Sequence, residues 1–185
     1  MNKNLLLMLS ASLLIFVACS DKWKQELPAN TPDAFIEKQE TSISDNLAIL
    51  EEDSKNIVAT FEIAFGYQQL GEFKKAITYY EKVLEFDPVH YPALNNLADI
   101  YEQVEEYALS AKYIKKLYEN NEKDSLVLED AIRILLKNDE PTLAQSALEN
   151  YARKTKDTAT PADLQIISDL FESIQLYKQQ NEPTT

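Results

Sequence analysis

The chain has 185 residues, 31 of them acidic and 18 basic, a formal net charge of −13, and one histidine and one cysteine. So acidic a surface repels nucleic acid and anionic lipid, and the inventory holds no Gly-rich phosphate loop and no metal-ligand spacing. The length suits one domain with a modest core; two glycines and plentiful Leu, Ala, Glu, Lys and Tyr favour helix over sheet.

The chain opens with Lys3 and an apolar run over residues 5–18, broken by Ser10 and Ser12. That run is too short for a membrane-spanning helix, which needs ~20 residues, and reads as a secretory signal peptide over 1–18. Its end, Phe16-Val17-Ala18-Cys19, resembles a bacterial lipobox, with Phe16 where leucine is usual. The resemblance implies lipid attachment at Cys19, which would become the first residue of the mature chain. A lone cysteine forms no intramolecular disulfide, so an exported chain has another use for it. The alternatives are an ordinary signal peptide with an incidental cysteine, or a buried thiol. Ser20 resembles the choice of lipoproteins sent to the outer membrane of the bacterial cell envelope, in preference to the inner. Residues 19–43, with Pro28 and Pro32, read as a lipidated tether carrying one short helical turn from Asp33.

From residue 44 to 180 the pattern is helical and repetitive. Leu47, Ile49 and Leu50 mark a leading helix. Tyr67, Leu70, Phe73, Ala76, Tyr80 and Val83 then recur as Tyr101, Val104, Tyr107, Ser110, Ile114 and Leu117, at an offset of 34 without a gap. A weaker third copy carries Leu135, Asn138, Pro141, Ala144, Leu148 and Tyr151. The pattern resembles the tetratricopeptide repeat family, whose unit is helix, turn, helix. It implies repeats at about 57–90, 91–124 and 125–158 in an all-α fold, a short right-handed α-solenoid. Ala64, Ala98, Ala76, Ser110 and Ala144 allow close helix approach. Gly71 suits a left-handed turn, where the second copy has Glu105. Pro88 stops one helix and Pro92 starts the next. Thr160-Pro-Ala-Asp163 begins a closing helix over 161–180, and 181–185 read as a disordered tail.

By family resemblance the concave, partner-binding face comprises Phe61, Phe65 and Gln68; Asn95, Asp99 and Glu102; and Glu129, Arg133 and Leu136. Aromatic at one end and largely acidic at the other, it suits a segment with apolar anchors and a basic flank. Phe61 and Phe65 could equally pack under the leading helix. The carboxylate clamp of some relatives would fall on Phe61, Phe65, Asn96, Leu126 and Asp130, of which only Asn96 matches. His90, between Pro88 and Pro92, reads as a solvated loop residue, and the paired carboxylates as solvated faces. The expectation is a lipid-anchored scaffold that binds other envelope proteins, in outer-membrane, secretion or pilus assembly, without catalysis, cofactor, metal or nucleic acid. The alternative is a small envelope hydrolase, or a regulator of one, on the same fold.

Overall fold

The computed structural model describes residues 22–181; the signal-peptide and Cys19 readings, and the tail beyond Asn181, fall outside them. Among the described residues the chain forms eight helices: α1 (Asp33–Glu52), α2 (Ile57–Gln69), α3 (Phe73–Phe86), α4 (Tyr91–Gln103), α5 (Tyr107–Asn120), α6 (Ser125–Lys137), α7 (Pro141–Thr155) and α8 (Pro161–Asn181). None is long and apolar enough to cross a membrane. The chain divides into two compact units, up to Tyr79 and from Tyr80, with the boundary inside α3.

In the first unit, α1 is a single helix of 20 residues where a tether and a separate later helix were expected. Phe35, Ile36, Ile43, Leu47 and Leu50 stand at helical spacing, but Gln39, Ser42 and Asn46 interrupt the stripe, and only Ile43 is buried. α1 packs on α2 and comes close at Gly66, where a Cβ would meet Ile43 Cγ1 at 2.7 Å. The small residue therefore sets the approach of the two helices. Asn56 caps α2, its side chain accepting from Ala59 N–H at 2.9 Å. Ala64 and Ala76 are fully buried, and the rings of Tyr67 and Tyr79 stack at 5.9 Å.

The described residues before α1, 22–32, are not a free tether. Gln25 N–H donates to Gly71 O at 2.9 Å and Phe73 N–H donates to Trp23 O at 3.0 Å, so Lys24 bridges antiparallel to Glu72. This strap lies on the turn between α2 and α3. Gly71 has φ +71°, and a Cβ on it would sit 2.1 Å from Gln25 O. The backbone conformation disfavours a side chain there, and the strap excludes one.

In the second unit each helix from α4 packs on its neighbours in sequence, and α8 covers both α6 and α7. Leu94, Leu97, Ile100, Ile114, Leu117, Leu128, Ile132, Ile134, Leu135 and Tyr151 fill the core, all essentially inaccessible. Ala98, Ser110 and Ala144 are buried as their repeat positions require, and the Ser110 hydroxyl donates to Ala98 O at 2.7 Å. That bond satisfies a polar group in a fully apolar contact. His90, expected in solvent, is half-buried and caps α4, its Nδ1 accepting from Ala93 N–H at 3.3 Å. Asp124 caps α6.

The turns at 71, 105 and 139 are one structure. Glu105 (φ +60°) and Asp139 (φ +56°) adopt the left-handed conformation of Gly71. In each, the next residue's N–H reaches back five: Glu72 to Tyr67 O at 2.9 Å, Glu106 to Tyr101 O at 2.8 Å, and Glu140 to Leu135 O at 2.8 Å. This closure satisfies carbonyls that a helix end leaves open. The missing glycine of the second copy does not alter the backbone.

The closing helix starts as expected. Thr160 N–H and hydroxyl both donate to Asp163 Oδ2 at 2.7 Å, while Asp163 N–H donates to Thr160 Oγ1 at 3.3 Å, a reciprocal cap. Tyr151 hydroxyl holds the other carboxylate oxygen at 3.0 Å. The helix buries less than its pattern implies: only Ile174 is buried, and Leu164, Phe171 and Leu176 are exposed.

Candidate partner-binding site

The nine residues assigned to a binding face fall into two groups, one in each unit. In the first unit, Phe61 and Phe65 sit one turn apart on α2, their rings stacked at 6.3 Å with planes 10° apart. Phe65 is 39% exposed and Phe61 half-buried; Gln68, a turn further on, is half-buried. Of the pair only Phe65 is exposed, so its ring alone is open to solvent on this face of α2.

In the second unit, Asn95, Asp99 and Glu102 on α4 meet Arg133 on α6 around a cleft of about 130 Å³, together with Ala98, Ile114, Asp130 and Ile134. Helical spacing makes this possible, since 95, 99 and 102 share one face of α4 and 130 and 133 one face of α6. Glu102 Oε1 accepts from Arg133 Nη1 and from Lys137 Nζ, the latter at 2.8 Å. Arg133 Nη2 donates to Asp130 Oδ1 at 2.6 Å. Lys137 also lies 5.6 Å from the centre of the Tyr107 ring.

These contacts set the ionisation of the cleft. Burial alone would push the Glu102 carboxyl up, but the hydrogen bonds and charges of Arg133 and Lys137 hold it below the usual carboxylate range. Asp99 moves the other way. Its carboxylate sits in the cleft, where desolvation outweighs the hydrogen bond from Gln103, at 2.8 Å, and the Glu102 charge adds to the rise. The cleft is thus less acidic than its sequence: Glu102 and Asp130 are neutralised in place, and Asp99 is the carboxylate not bound to a cation. Glu129 and Leu136 are half-buried and do not line the cleft. Lys137 and Asp130 complete the network and were not on the expected face; the i, i+4 spacing of Arg133 and Lys137 was the signal for the first.

Of the clamp positions, Leu126 is 69% exposed and Asn96 donates to the Tyr80 hydroxyl at 2.7 Å. Neither presents a donor array to an anion. Elsewhere in this unit Tyr101 and Tyr113 stack at 5.6 Å, and Tyr113 donates to Glu81 at 2.8 Å. Burial, then that bond, raises the Tyr113 hydroxyl far above its usual range, so it stays protonated and able to donate to Glu81. No group of three or more His, Cys, Asp or Glu among the described residues could hold a metal ion.

The helix pairs, the repeated left-handed turn and the 34-residue register define an all-α helical repeat array. The tetratricopeptide repeat family matches residues 59–88 and 91–124, so these two stretches are tetratricopeptide repeats, units that serve protein–protein contacts. Among solved structures, the "MamA RS-1 ArsTM double mutant" is similar with a TM-score of 0.55 and 10% identity, over 79% of this chain and 88% of that one. MamA 41-end from Desulfovibrio magneticus RS-1 gives a TM-score of 0.54 and 12% identity, over 78% and 88%. At such identities the likeness is one of fold. No curated protein matches the chain in sequence.

Proposed function

We propose that the protein is a lipid-anchored scaffold of the bacterial cell envelope, held by Cys19 at the outer membrane in preference to the inner, that gathers other envelope proteins and catalyses nothing. The anchor rests on the sequence around Cys19. The scaffold role rests on the cleft of α4 and α6, in which charged groups are paired with one another and aimed at no reactive centre. The partner at this cleft is a segment with a basic residue for Asp99, and the Phe61 and Phe65 pair of the first unit suits apolar anchors.

Site-directed photo-crosslinking in the native cells tests the cleft. A reactive residue at Asn95, which lines the cleft and leaves the Asp99 carboxylate in place, should give one strong adduct, and the same residue at exposed Lys112 on α5 should give none. Equal adducts at both, or adducts at Lys112 alone, would remove the cleft as the working surface. Because the Asp99 carboxyl is pushed up, its charge is lost earlier than that of an ordinary carboxylate as pH falls, so capture should weaken on the acid side first. Feeding cells a labelled fatty acid tests the anchor: Cys19→Ser should abolish the label, and undiminished label would overturn lipidation at that residue.

A further inference from the structure

The described chain begins three residues after Cys19, and its first segment is fastened. Trp23 and Gln25 are hydrogen-bonded to Phe73 and Gly71, and Lys24 Nζ lies 3.2 Å from Glu72. Three residues reach at most about 11 Å when fully extended, comparable with the Debye length of about 8 Å at physiological ionic strength. Whatever holds Cys19 therefore holds the α2–α3 turn close by. The strap and this turn carry four lysines: Lys22, Lys24, Lys74 and Lys75, all exposed. Against them stand Glu26 and Glu72, so residues 22–26 and 71–75 carry four basic and two acidic side chains, net +2, a local inversion of sign in a chain of net charge −13. Lys75 is shared between Glu72, at 3.6 Å, and the Tyr67 ring, 5.0 Å from its centre. Lys22 sits 5.2 Å from the centre of the Trp23 ring, and Trp23 is the sole tryptophan. A tryptophan flanked by lysines is the composition of a membrane–water interface, where the ring sits at headgroup level and the ammonium groups meet phosphates.

We propose that this end of the first unit, the strap Lys22–Trp23–Lys24 with Lys74 and Lys75 of the turn, is a docking surface for an anionic phospholipid bilayer. It would lay the unit against the membrane in one orientation in place of a swing on a flexible leash. The proposal rests on the anchor reading at Cys19 for its geometry, since a lipid there would keep the basic patch within reach of the bilayer surface. Lysines near an anionic surface each strengthen attachment about fivefold, and with Lys24 and Lys75 sharing Glu72 it is the net excess of positive charge that draws this one place to the surface.

Trp23 is its own probe. Full-length protein purified from membranes is mixed with vesicles of phosphatidylcholine alone or with phosphatidylglycerol added, and flotation is read beside Trp23 emission. With phosphatidylglycerol, emission should shift to the blue, brominated lipids should quench it, and acrylamide should reach it several-fold less. Lys22→Glu with Lys74→Glu leaves the Lys24–Glu72–Lys75 contacts in place, and should return quenching by brominated lipid to the level in neutral vesicles. Flotation on both vesicles with Trp23 open to acrylamide on both would uphold the anchor and overturn the docking surface. Flotation on anionic vesicles alone, with Trp23 quenched by lipid, would overturn the anchor and uphold the surface. Flotation on neither would overturn both.

Discussion

The turn at Gly71 and the turns at Glu105 and Asp139 share one backbone and differ in what lies against it. All three are left-handed and closed by the same hydrogen bond five residues back. At Gly71 a strap of main chain covers the turn, and a Cβ would lie 2.1 Å from Gln25 O. At Glu105 and Asp139 the side chain is exposed. Glycine is therefore required at the first turn by contact as well as by conformation, whereas the later turns need only tolerate the strain. A left-handed non-glycine residue costs ~1–2 kcal/mol, less than the packing of two helices supplies.

The largest test of that difference is Gly71→Ala. It should cost about 2–4 kcal/mol, from left-handed strain of ~1–2 kcal/mol and two weakened main-chain bonds of ~1 kcal/mol each, and it should shift Trp23 emission to the red. Urea denaturation within ~0.5 kcal/mol of the parent would show that the strap is not held. Glu105→Gly should act in the opposite sense, stabilising by about 0.5–1 kcal/mol because strain is relieved and nothing is displaced. A loss at that position would mean the side chain has a role of its own. Lys24→Ala should cost under ~0.5 kcal/mol, since the pair with Glu72 is largely in water. Glu72 is held below its usual value of 4.5 mainly by that Lys24 bond. Its contribution is therefore present above pH 4.5 and lost as pH falls through the lowered value. The stability difference between parent and variant should vanish in acid; a difference that persists would assign it to packing of the lysine stem. Asp139→Gly should change least, because aspartate tolerates this conformation and its carboxylate accepts from the Tyr177 hydroxyl at 3.0 Å. The relief of strain and the lost bond nearly cancel.

The same contrast explains what could be read in the sequence. The 34-residue register located α2 to α7, their small buried positions and the shared turn, because those depend on side chains repeating at fixed spacing. It did not reveal that Glu105 keeps the conformation of Gly71, which is set by the two helices it joins. The strap left no signature at all, since its bonds run between main-chain groups that every residue carries. α1 was read as tether and fragment because Gln39, Ser42 and Asn46 interrupt its apolar stripe, and the helix relies on α2 for support. At the cleft, Asn95, Asp99, Glu102 and Arg133 follow from position on the first helix of each repeat. Their ionisation does not, because Lys137 joins Glu102 only through a fold that brings residues 35 apart together.

The clasp at Gly71 also bears on how such an array can lengthen over evolutionary time. Each later turn is an interchangeable joint, so duplication of a 34-residue unit within the array would find a matching neighbour on either side. A unit added ahead of α2 would meet a strap and a helix, α1, fitted to Gly71 and Gly66 alone. The chain is thus open to growth from its middle, while its front is a fixed terminus.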